Sequence, residues 1–436
     1  MSPQSLEPSE RSVRLCDLAT WLSWPAVRSE AQGHALIGGV ASQPPDLVFP
    51  VAKDPLDTQC VHDIVLHAIS ESVGNSKKVV VSLSGGLDSF AVLCLLLETP
   101  QAADMDIVAI SADLRDDAGR SATSVISSLL NALPRRIELV VIKPEDEGCG
   151  PHDLYWSENG PRLDSAPLIN NRIALAAVHS GASVILTGAG ADEAFGMTRY
   201  GLWPGLFHRG FHYFHGYWTD SISVSRQAFA SELLGALSPA MPSNLRTRLY
   251  LAYRYPEMTE ITAPAILADE YQPYVSEWSS AWLRNIIKKH EALHKTWASM
   301  DGWEMIHPME NPIRSDDPVP FISPFMTTEV IDYMGSHSIL DRYDWRYPTA
   351  YWRAKSVVLS LIPEHLHPVL PRAKQIFGSW LTTHDPRWHE VPPLLSDLGL
   401  IRKDASVNGA DPMLIHRLWA IEDWVRIAGE RGYCFV

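Results

Sequence analysis

The hydrophobic pattern of the chain becomes regular near residue 61. The segment 61–74 has the apolar spacing of a helix. The run 79–83 that follows is β-branched and apolar on both faces, as in a strand buried inside a parallel sheet. After a turn at 84–86, an apolar stretch reaches Glu98 and predicts a second helix.

The same alternation of strand and helix repeats three times. Strands are predicted at 107–112, 137–142 and 183–186, and helices at 120–131 and 168–180. Strands that alternate with helices favour β-α-β units. We therefore predict an α/β fold, a parallel sheet flanked by helices, in which ligands bind at the carboxyl ends of the strands.

Beyond residue 194 the strand signals fade and helix-compatible stretches dominate. The clearest of these stretches are 225–237, 276–300 and 412–427. The C-terminal half is therefore predicted to be mainly helical. We divide the chain into a small N-terminal appendage at 1–58, an α/β core at 59–225 and a helical region at 226–436.

Composition and charge limit the function. The 436 residues are 46% apolar and 20% charged, as in a globular protein with a sizeable core. The chain has 36 Lys and Arg against 51 Asp and Glu, a net charge of −15, whereas nucleic-acid binders usually carry a basic surface. We expect no nucleic-acid partner.

Targeting signals and cysteine spacing indicate the compartment. The start MSPQSLEPSERSVRL is unlike a secretory signal, and the longest apolar run, 90–97, is far shorter than the ~20 residues that cross a bilayer. The five cysteines are scattered without a C-x-x-C pair, which argues against a zinc site or a disulfide framework. We predict a cytoplasmic protein without membrane association.

The first chemical motif is SLSGGLDS at 82–89, between the predicted strand and helix. Glycines let backbone N–H groups approach a phosphate chain, serines add donors, and the helix N-terminus adds a positive dipole. Asp88 is positioned to hold Mg²⁺. A glycine turn with an Asp helix cap is the simpler alternative.

The second motif is VILTGAGADE at 184–193, again a strand that runs into a glycine turn and an acidic helix start. Two strand ends of one parallel sheet, each followed by an Asp, can bring both carboxylates to one metal site. Asp88 and Asp192 are therefore the predicted metal ligands.

Together, SLSGGLDS and LTGAGADEAFG resemble the synthetase half of the class B asparagine synthetase family, whose members are PP-loop ATP pyrophosphatases. Weaker matches are DSAP at 164–167, SPF at 323–325, WRAK at 352–355, LIP at 361–363 and PRAKQIF at 371–377. The resemblance covers about residues 60–385 and implies a PP-loop fold of the adenine nucleotide α-hydrolase type.

The resemblance implies a two-step reaction. A substrate carboxylate attacks the α-phosphate of ATP and releases pyrophosphate, and an amine then displaces AMP to form an amide. The residues implied to bind ATP or pyrophosphate are Ser82, Ser84, Gly85, Gly86, Asp88, Ser89, Gly188 and Gly190. Mg²⁺ is implied at Asp88 and Asp192.

The resemblance also assigns the catalytic cations. Lys374 matches the essential lysine of the family's R-x-K segment and would stabilise charge in both steps, with Lys355 and Arg372 as further catalytic candidates. The alternative is that Lys355 and Lys374 are solvated surface lysines. Glu193 is assigned to the helix start rather than to a catalytic base.

Two departures from the family bear on the substrates. Family members that make asparagine begin with a glutaminase domain whose nucleophilic Cys follows Met1, but residue 2 here is Ser. We therefore expect no glutamine hydrolysis by this chain. Ala189 stands where asparagine-forming members have Glu and β-lactam synthetases have Tyr; because alanine cannot act as a base, aspartate is not the expected substrate.

The segment 200–218 concentrates aromatic residues and histidines after the second motif. Trp203, Phe207 and Trp218 are candidates for the lining of a substrate pocket. The alternative is an aromatic core beneath a loop. The spacing of His208, His212 and His215 is compatible with metal binding, but no Cys or acidic residue lies close to them in sequence, which favours ordinary histidines.

The leading hypothesis is an ATP-dependent, AMP-forming carbon–nitrogen ligase of specialised metabolism that joins a small-molecule or peptide carboxylate to an amine. An ammonia-using synthetase fed by a partner protein, and an intramolecular cyclase like β-lactam synthetases or lasso peptide cyclases, stay open. Outside this class, a non-catalytic nucleotide-binding subunit is the alternative. A tRNA-modifying enzyme would need a basic surface and usually catalytic Cys pairs, and the sequence shows neither, which argues against that class.

Overall fold

A computed structural model describes most of the chain. The described residues are 12–22, 55–143, 160–161, 167–197, 199–222, 226–255, 265–306, 319–377, 386–410 and 412–436. Residues 164–166 of the DSAP match and most of the predicted appendage lie outside these ranges.

Seven strands form two parallel sheets in the described residues. The strands are β1 Ser12–Val13, β2 Lys78–Ser82, β3 Asp106–Ala112, β4 Glu138–Ile142, β5 Ile185–Leu186, β6 Phe321–Ile322 and β7 Cys434–Phe435. The main sheet has the order β4-β3-β2-β5-β6, and β1 pairs with β7. This arrangement confirms the predicted α/β fold with a parallel sheet.

Helices cover both faces of the main sheet and form most of the C-terminal half. The α-helices are α1 Leu15–Thr20, α2 Thr58–Val73, α3 Leu87–Glu98, α4 Ala122–Asn131, α5 Pro167–Ser180, α6 Ala191–Ala194, α7 Leu202–Arg209, α8 Phe211–Tyr217, α9 Arg226–Leu237, α10 Ser243–Arg254, α11 Gln272–Leu293, α12 Trp297–Ile306, α13 Thr328–Ser336, α14 Ala350–Ala354, α15 Ser356–Ser360, α16 Pro393–Asp397 and α17 Pro412–Glu430. A π-helical turn spans Trp218–Ile222. Of the helices that the structure describes, none combines the length and apolar character that a membrane crossing requires.

The continuous apolar sequence of β2 follows from burial on both faces of the sheet. Side chains of a strand alternate between the two faces. Val79 and Val81 accordingly join the core formed with α2, α3 and α4, whereas Val80 packs with residues of α5 on the opposite face. The helices on both faces therefore fix the position of the loop that follows β2.

The strand register places the two glycine motifs side by side. Val81 of β2 is paired with Leu186 of β5, and each strand ends within one residue of its pairing. Because the strands are parallel, the loops 83–86 and 187–190 leave the same edge of the sheet. The candidate site lies at this edge.

Two features of the C-terminal half differ from the sequence prediction. Strand β6 lies in the region predicted to be helical, yet its Phe321 pairs with Ile185 and completes the main sheet. The stretch 276–300 is divided between α11 and α12 rather than forming one helix. The division of the chain into three parts stays a prediction.

Candidate active site

The loop after β2 forms the N-terminal end of α3. Gly85 has φ of +81°, a left-handed conformation that glycine adopts without strain. The backbone N–H of Ser84 donates to Oγ of Ser89 (3.2 Å), and the two hydroxyls lie 3.4 Å apart. Ser82 is the last residue of β2, and Gly86 caps α3. The loop thus gathers hydroxyls and backbone N–H groups at a helix N-terminus, where anions bind.

Two carboxylates and two ammonium groups meet beside this loop. Nζ of Lys355 lies 2.6 Å from Oδ1 of Asp88 and 2.7 Å from Oδ1 of Asp192. Nζ of Lys374 lies 2.8 Å from Oδ2 of Asp192. The Lys355 side chain is 4% exposed, whereas the Lys374 side chain is 58% exposed. Lys355 is therefore a buried cation, unlike a solvated surface lysine, and Lys374 contacts Asp192 from the solvent side.

Burial and the ion pairs shift the pKa values of this cluster. Burial raises the pKa of Asp88, against the opposing effect of Lys355. Burial acts in the same direction on Asp192, but Lys355 and Lys374 outweigh it and lower the pKa of that carboxyl. Burial also raises the pKa of Glu193, which stands beside the two aspartates. Asp192 is thus the carboxylate held most firmly in its charged form.

Close backbone contact joins the second glycine motif to α3. A Cβ on Gly188 would lie 2.5 Å from the backbone nitrogen of Ser89 and 2.7 Å from the carbonyl carbon of Asp88. Only glycine allows this approach without displacement of backbone. Gly190 caps the short helix α6, in which Asp192 lies in the first turn. Gly188 therefore sets the short separation between the two motifs.

Strand β6 and the residues after it hold the second motif against the sheet. The backbone N–H of Thr187 donates to the carbonyl of Ile322 (2.9 Å). The hydroxyl of the buried Ser323 donates to the carbonyl of Ala189 (2.5 Å). The S-P-F match thus contributes a hydrogen bond that fixes the loop, while the Ala189 side chain itself is exposed.

The segment 371–377 passes over the first glycine loop and is anchored at both ends. Nε1 of Trp352 donates to the carbonyl of Pro371 (2.8 Å), and the N–H of Asp117 donates to the carbonyl of Ile376 (2.8 Å). Between these anchors lie Arg372, Lys374 and Gln375. Arg372 is exposed and is not among the described side chains bonded to Asp88 or Asp192. The structure thus brings Lys374, but not Arg372, to the carboxylates.

The donor set at Asp88 and Asp192 fits a magnesium ion. Mg²⁺ takes oxygen ligands and is usually held by one or two carboxylates together with substrate phosphates. The carboxylates follow adjacent strand ends, and both already contact the ammonium group of Lys355. In the described part of the chain, no group of three or more His, Cys, Asp or Glu side chains is arranged to hold a metal. A magnesium ion held by these two carboxylates would share its coordination with substrate phosphates and water, as such sites usually do.

The aromatic segment after the second motif packs largely on itself. The ring of Phe214 lies 5.9 Å from the rings of both Trp203 and Trp218, and both tryptophans pack against a buried cluster that includes Tyr213. Phe207 is 79% exposed. The geometry of the two tryptophans matches the aromatic-core alternative; a substrate pocket formed by Trp203, Phe207 and Trp218 stays a prediction.

Sequence analysis did not identify two side chains at the first loop, Tyr351 and Gln375. The Tyr351 hydroxyl accepts the N–H of Leu87 at the start of α3 (3.3 Å). The carboxamide of Gln375 lies over Gly85, with its Oε1 2.7 Å from where a Cβ of that glycine would be. Their only sequence signal is position: Tyr351 directly precedes the matched segment 352–355, and Gln375 lies within the matched segment 371–377.

Comparisons with known proteins point to one family. The sequence model of the asparagine synthase family matches residues 61–363. No curated protein matches the chain. Among solved structures, the U34-tRNA thiolase NcsA from Methanococcus maripaludis with its [4Fe-4S] cluster is 13% identical, over 55% of this chain and 89% of that one, with a TM-score of 0.24. A TM-score this low is no basis for a functional comparison.

Proposed function

The chain belongs to the asparagine synthase family of ATP-dependent ligases and synthetases, and we propose that it joins a carboxylate to an amine through an acyl-adenylate. The proposed substrates are a small-molecule or peptide carboxylate and an amine that does not come from glutamine hydrolysed by this chain. We propose a cytoplasmic enzyme of specialised metabolism without a nucleic-acid partner, in keeping with the net charge of −15.

One observation carries the proposal: Asp88, Asp192, Lys355 and Lys374 converge beside a loop suited to a phosphate chain. Transfer of a nucleotidyl group spreads negative charge over phosphate oxygens, so its catalysis depends mainly on positioning and cations. Lys374 is exposed and therefore accessible to a substrate, and Lys355 holds the two carboxylates. The cluster supports activation of a carboxylate by ATP.

In the first step, a carboxylate oxygen of the substrate attacks the α-phosphorus of ATP. The bond from that phosphorus to the bridging oxygen breaks, and pyrophosphate leaves with the electron pair. In the second step, the amine nitrogen attacks the acyl carbon, AMP leaves, and the nitrogen loses a proton. Ser84, Ser89 and the N–H groups of the loop would hold the pyrophosphate, and Lys374 would stabilise charge in both steps.

Asp88 and Asp192 would hold Mg²⁺, which when bound would neutralise negative charge on the phosphates. The exposed methyl group of Ala189 cannot accept a proton from the amine. The amine therefore arrives deprotonated, or its proton passes to solvent, to a group of the substrate or to a base elsewhere in the protein. An amine of low pKa, or one that enters uncharged, suits this site better than a strongly basic one.

The test is isotope exchange between ATP and pyrophosphate across a panel of carboxylic acids, with AMP and ADP scored separately. We expect at least one acid to elicit exchange, with AMP as the product once an amine is added. Asp88→Ala should abolish exchange. The control is Asp106→Ala. Asp106 forms an ion pair with Lys78 where β2 and β3 begin, at the edge of the sheet opposite to the candidate site.

The outcomes separate the alternatives. AMP formation with ammonia as the sole amine would support an amidating synthetase, and a cyclised product of a single substrate would support an intramolecular ligase. If no acid elicits AMP formation, or if Asp88→Ala retains full exchange, the ligase proposal fails in favour of a non-catalytic nucleotide-binding subunit.

A further inference from the structure

Gln375 places a buried and unpaired carboxamide over the glycine loop. Among the residues that the structure describes, neither its Oε1 nor its Nε2 has a hydrogen-bond partner, although both atoms are shielded from solvent. Oε1 lies 2.7 Å from the position that a Cβ on Gly85 would occupy. The carboxamide thus fills the space that the missing Cβ leaves open above the loop.

The location of this amide is imposed by its segment. The carbonyls of Pro371 and Ile376 are bonded to Trp352 and Asp117, so the backbone on either side of Gln375 is fixed. A buried polar group without a partner destabilises a protein, and buried polar groups are therefore normally paired. A ligand that pairs with this amide would remove that cost on binding.

The surroundings indicate what the ligand is. The hydroxyls of Ser84 and Ser89 and the N-terminus of α3 lie at the same loop, and all of these groups favour an oxyanion. Rotation about the last side-chain bond of Gln375 exchanges Oε1 and Nε2, which brings an N–H donor toward Gly85. A phosphate oxygen matches that donor.

We propose that Gln375 is a binding residue for the pyrophosphate part of the nucleotide, donating Nε2–H to a phosphate oxygen held in the loop 84–89. This inference rests on the proposed function and adds a specific contact to it. The same oxygen is present in ATP and in free pyrophosphate, whereas AMP lacks it. Comparison of the three ligands therefore locates the contact.

The experiment is calorimetric titration of the full chain with magnesium pyrophosphate, MgATP and AMP. Gln375→Leu should weaken pyrophosphate and ATP by about tenfold, the effect of one lost hydrogen bond to a charged group, and leave AMP unchanged. Gln375→Glu should weaken the first two further, because it places a carboxylate against phosphate. Equal affinities of wild type and Gln375→Leu, or a loss confined to AMP, would overturn the proposal.

A matched control is Gln101→Leu. Oε1 of Gln101 is also buried and has no hydrogen-bond partner in the described part of the chain. Gln101 lies in a turn of 3₁₀-helix at Pro100–Asp104, beyond the opposite end of α3. Its affinity for all three ligands should equal that of the wild type. A loss of pyrophosphate affinity in this control as large as that in Gln375→Leu would contradict a local contact.

Thermal unfolding distinguishes binding from a structural role. Without ligand, Gln375→Leu should melt at the wild-type temperature or above it, because it removes an unpaired polar group. With magnesium pyrophosphate it should gain less stability than the wild type. A lower melting temperature without ligand would show a structural role and overturn the proposal.

The binding results also separate this proposal from the proposed function. If the wild type binds neither ATP nor pyrophosphate, the proposed function fails as well. If the wild type binds them and Gln375→Leu binds them equally well, only the contact by Gln375 is excluded.

Discussion

The ammonium nitrogen of Lys355 lies 2.6 Å from Oδ1 of Asp88, at the end of a side chain that is only 4% exposed. A second carboxylate, Asp192, contacts the same nitrogen. Lys355 therefore links the two glycine motifs through charge, in addition to the backbone contact at Gly188. A buried charge is tolerated only with such partners.

Lys355→Met should destabilise the protein by about 3 kcal/mol, because removal of one partner leaves buried charge without compensation. Lys374→Met should cost less than about 1 kcal/mol, since Lys374 is exposed. Both variants should lose AMP formation. Urea unfolding and product assays on the two variants check this contrast; equal losses of stability would contradict the different burial of the two lysines.

Gly188→Ala should destabilise the protein by about 1–3 kcal/mol through overpacking. Its Cβ would meet the backbone of Asp88 and Ser89, which cannot move without separating the motifs. Activity should therefore fall together with the melting temperature.

Gly302→Ala is the matched control for this substitution. Gly302 lies within α12, and a Cβ there has no neighbour within 4 Å. Alanine should stabilise that helix by about 0.5–1 kcal/mol. If Gly188→Ala behaves like Gly302→Ala in calorimetry, the close approach of the motifs does not constrain the site.

Some of this arrangement follows from sequence. The run Val79–Val81 is apolar on both faces, and Asp88 and Asp192 each follow a strand and a glycine turn. Ligand groups collect at the carboxyl ends of parallel strands, so the meeting of these two carboxylates was predictable. What they bind stays a prediction.

Other features depend on contacts that sequence pattern does not encode. Strand β6 has two residues, too few to show a period, and it forms because β5 offers an open edge. Lysine is usually exposed, whereas Lys355 is buried against Asp88 and Asp192. Because these partners come from distant parts of the chain, the local sequence does not indicate the burial. The position of Gln375 depends on the anchors of its segment at Trp352 and Asp117.

Removal of divalent cations with EDTA should abolish AMP formation but leave the melting temperature of the ligand-free protein nearly unchanged. Lys355 and Lys374 already neutralise Asp88 and Asp192, so the fold does not depend on a metal for that purpose. Differential scanning calorimetry with and without EDTA measures this. A marked loss of stability would indicate a structural metal at these carboxylates.

We expect a half-buried histidine of the helical half to make the stability of the protein depend on pH. His294 follows α11, and its Nε2 is buried without a hydrogen-bond partner among the described residues. Burial lowers the pKa of His294 to about 3, with further lowering by His290 and Arg246 against an opposite effect of Glu304. The unfolded chain takes up this proton near its ordinary pKa of about 6.5.

Acidification should therefore destabilise the folded state through His294. The stabilising contribution is complete above about pH 6.5 and falls as the pH drops toward 3, because only the unfolded chain binds the proton in that window. Between pH 7 and pH 5 the loss should be about 2 kcal/mol. Urea unfolding of His294→Gln over this range should show a smaller loss of stability than the wild type by about that amount, because glutamine does not titrate.

His67→Gln, at an exposed position of α2, controls for the loss of a histidine as such. If His294→Gln keeps the pH dependence of the wild type, His294 is not the group that takes up the proton, and the origin of any acid sensitivity lies elsewhere in the chain.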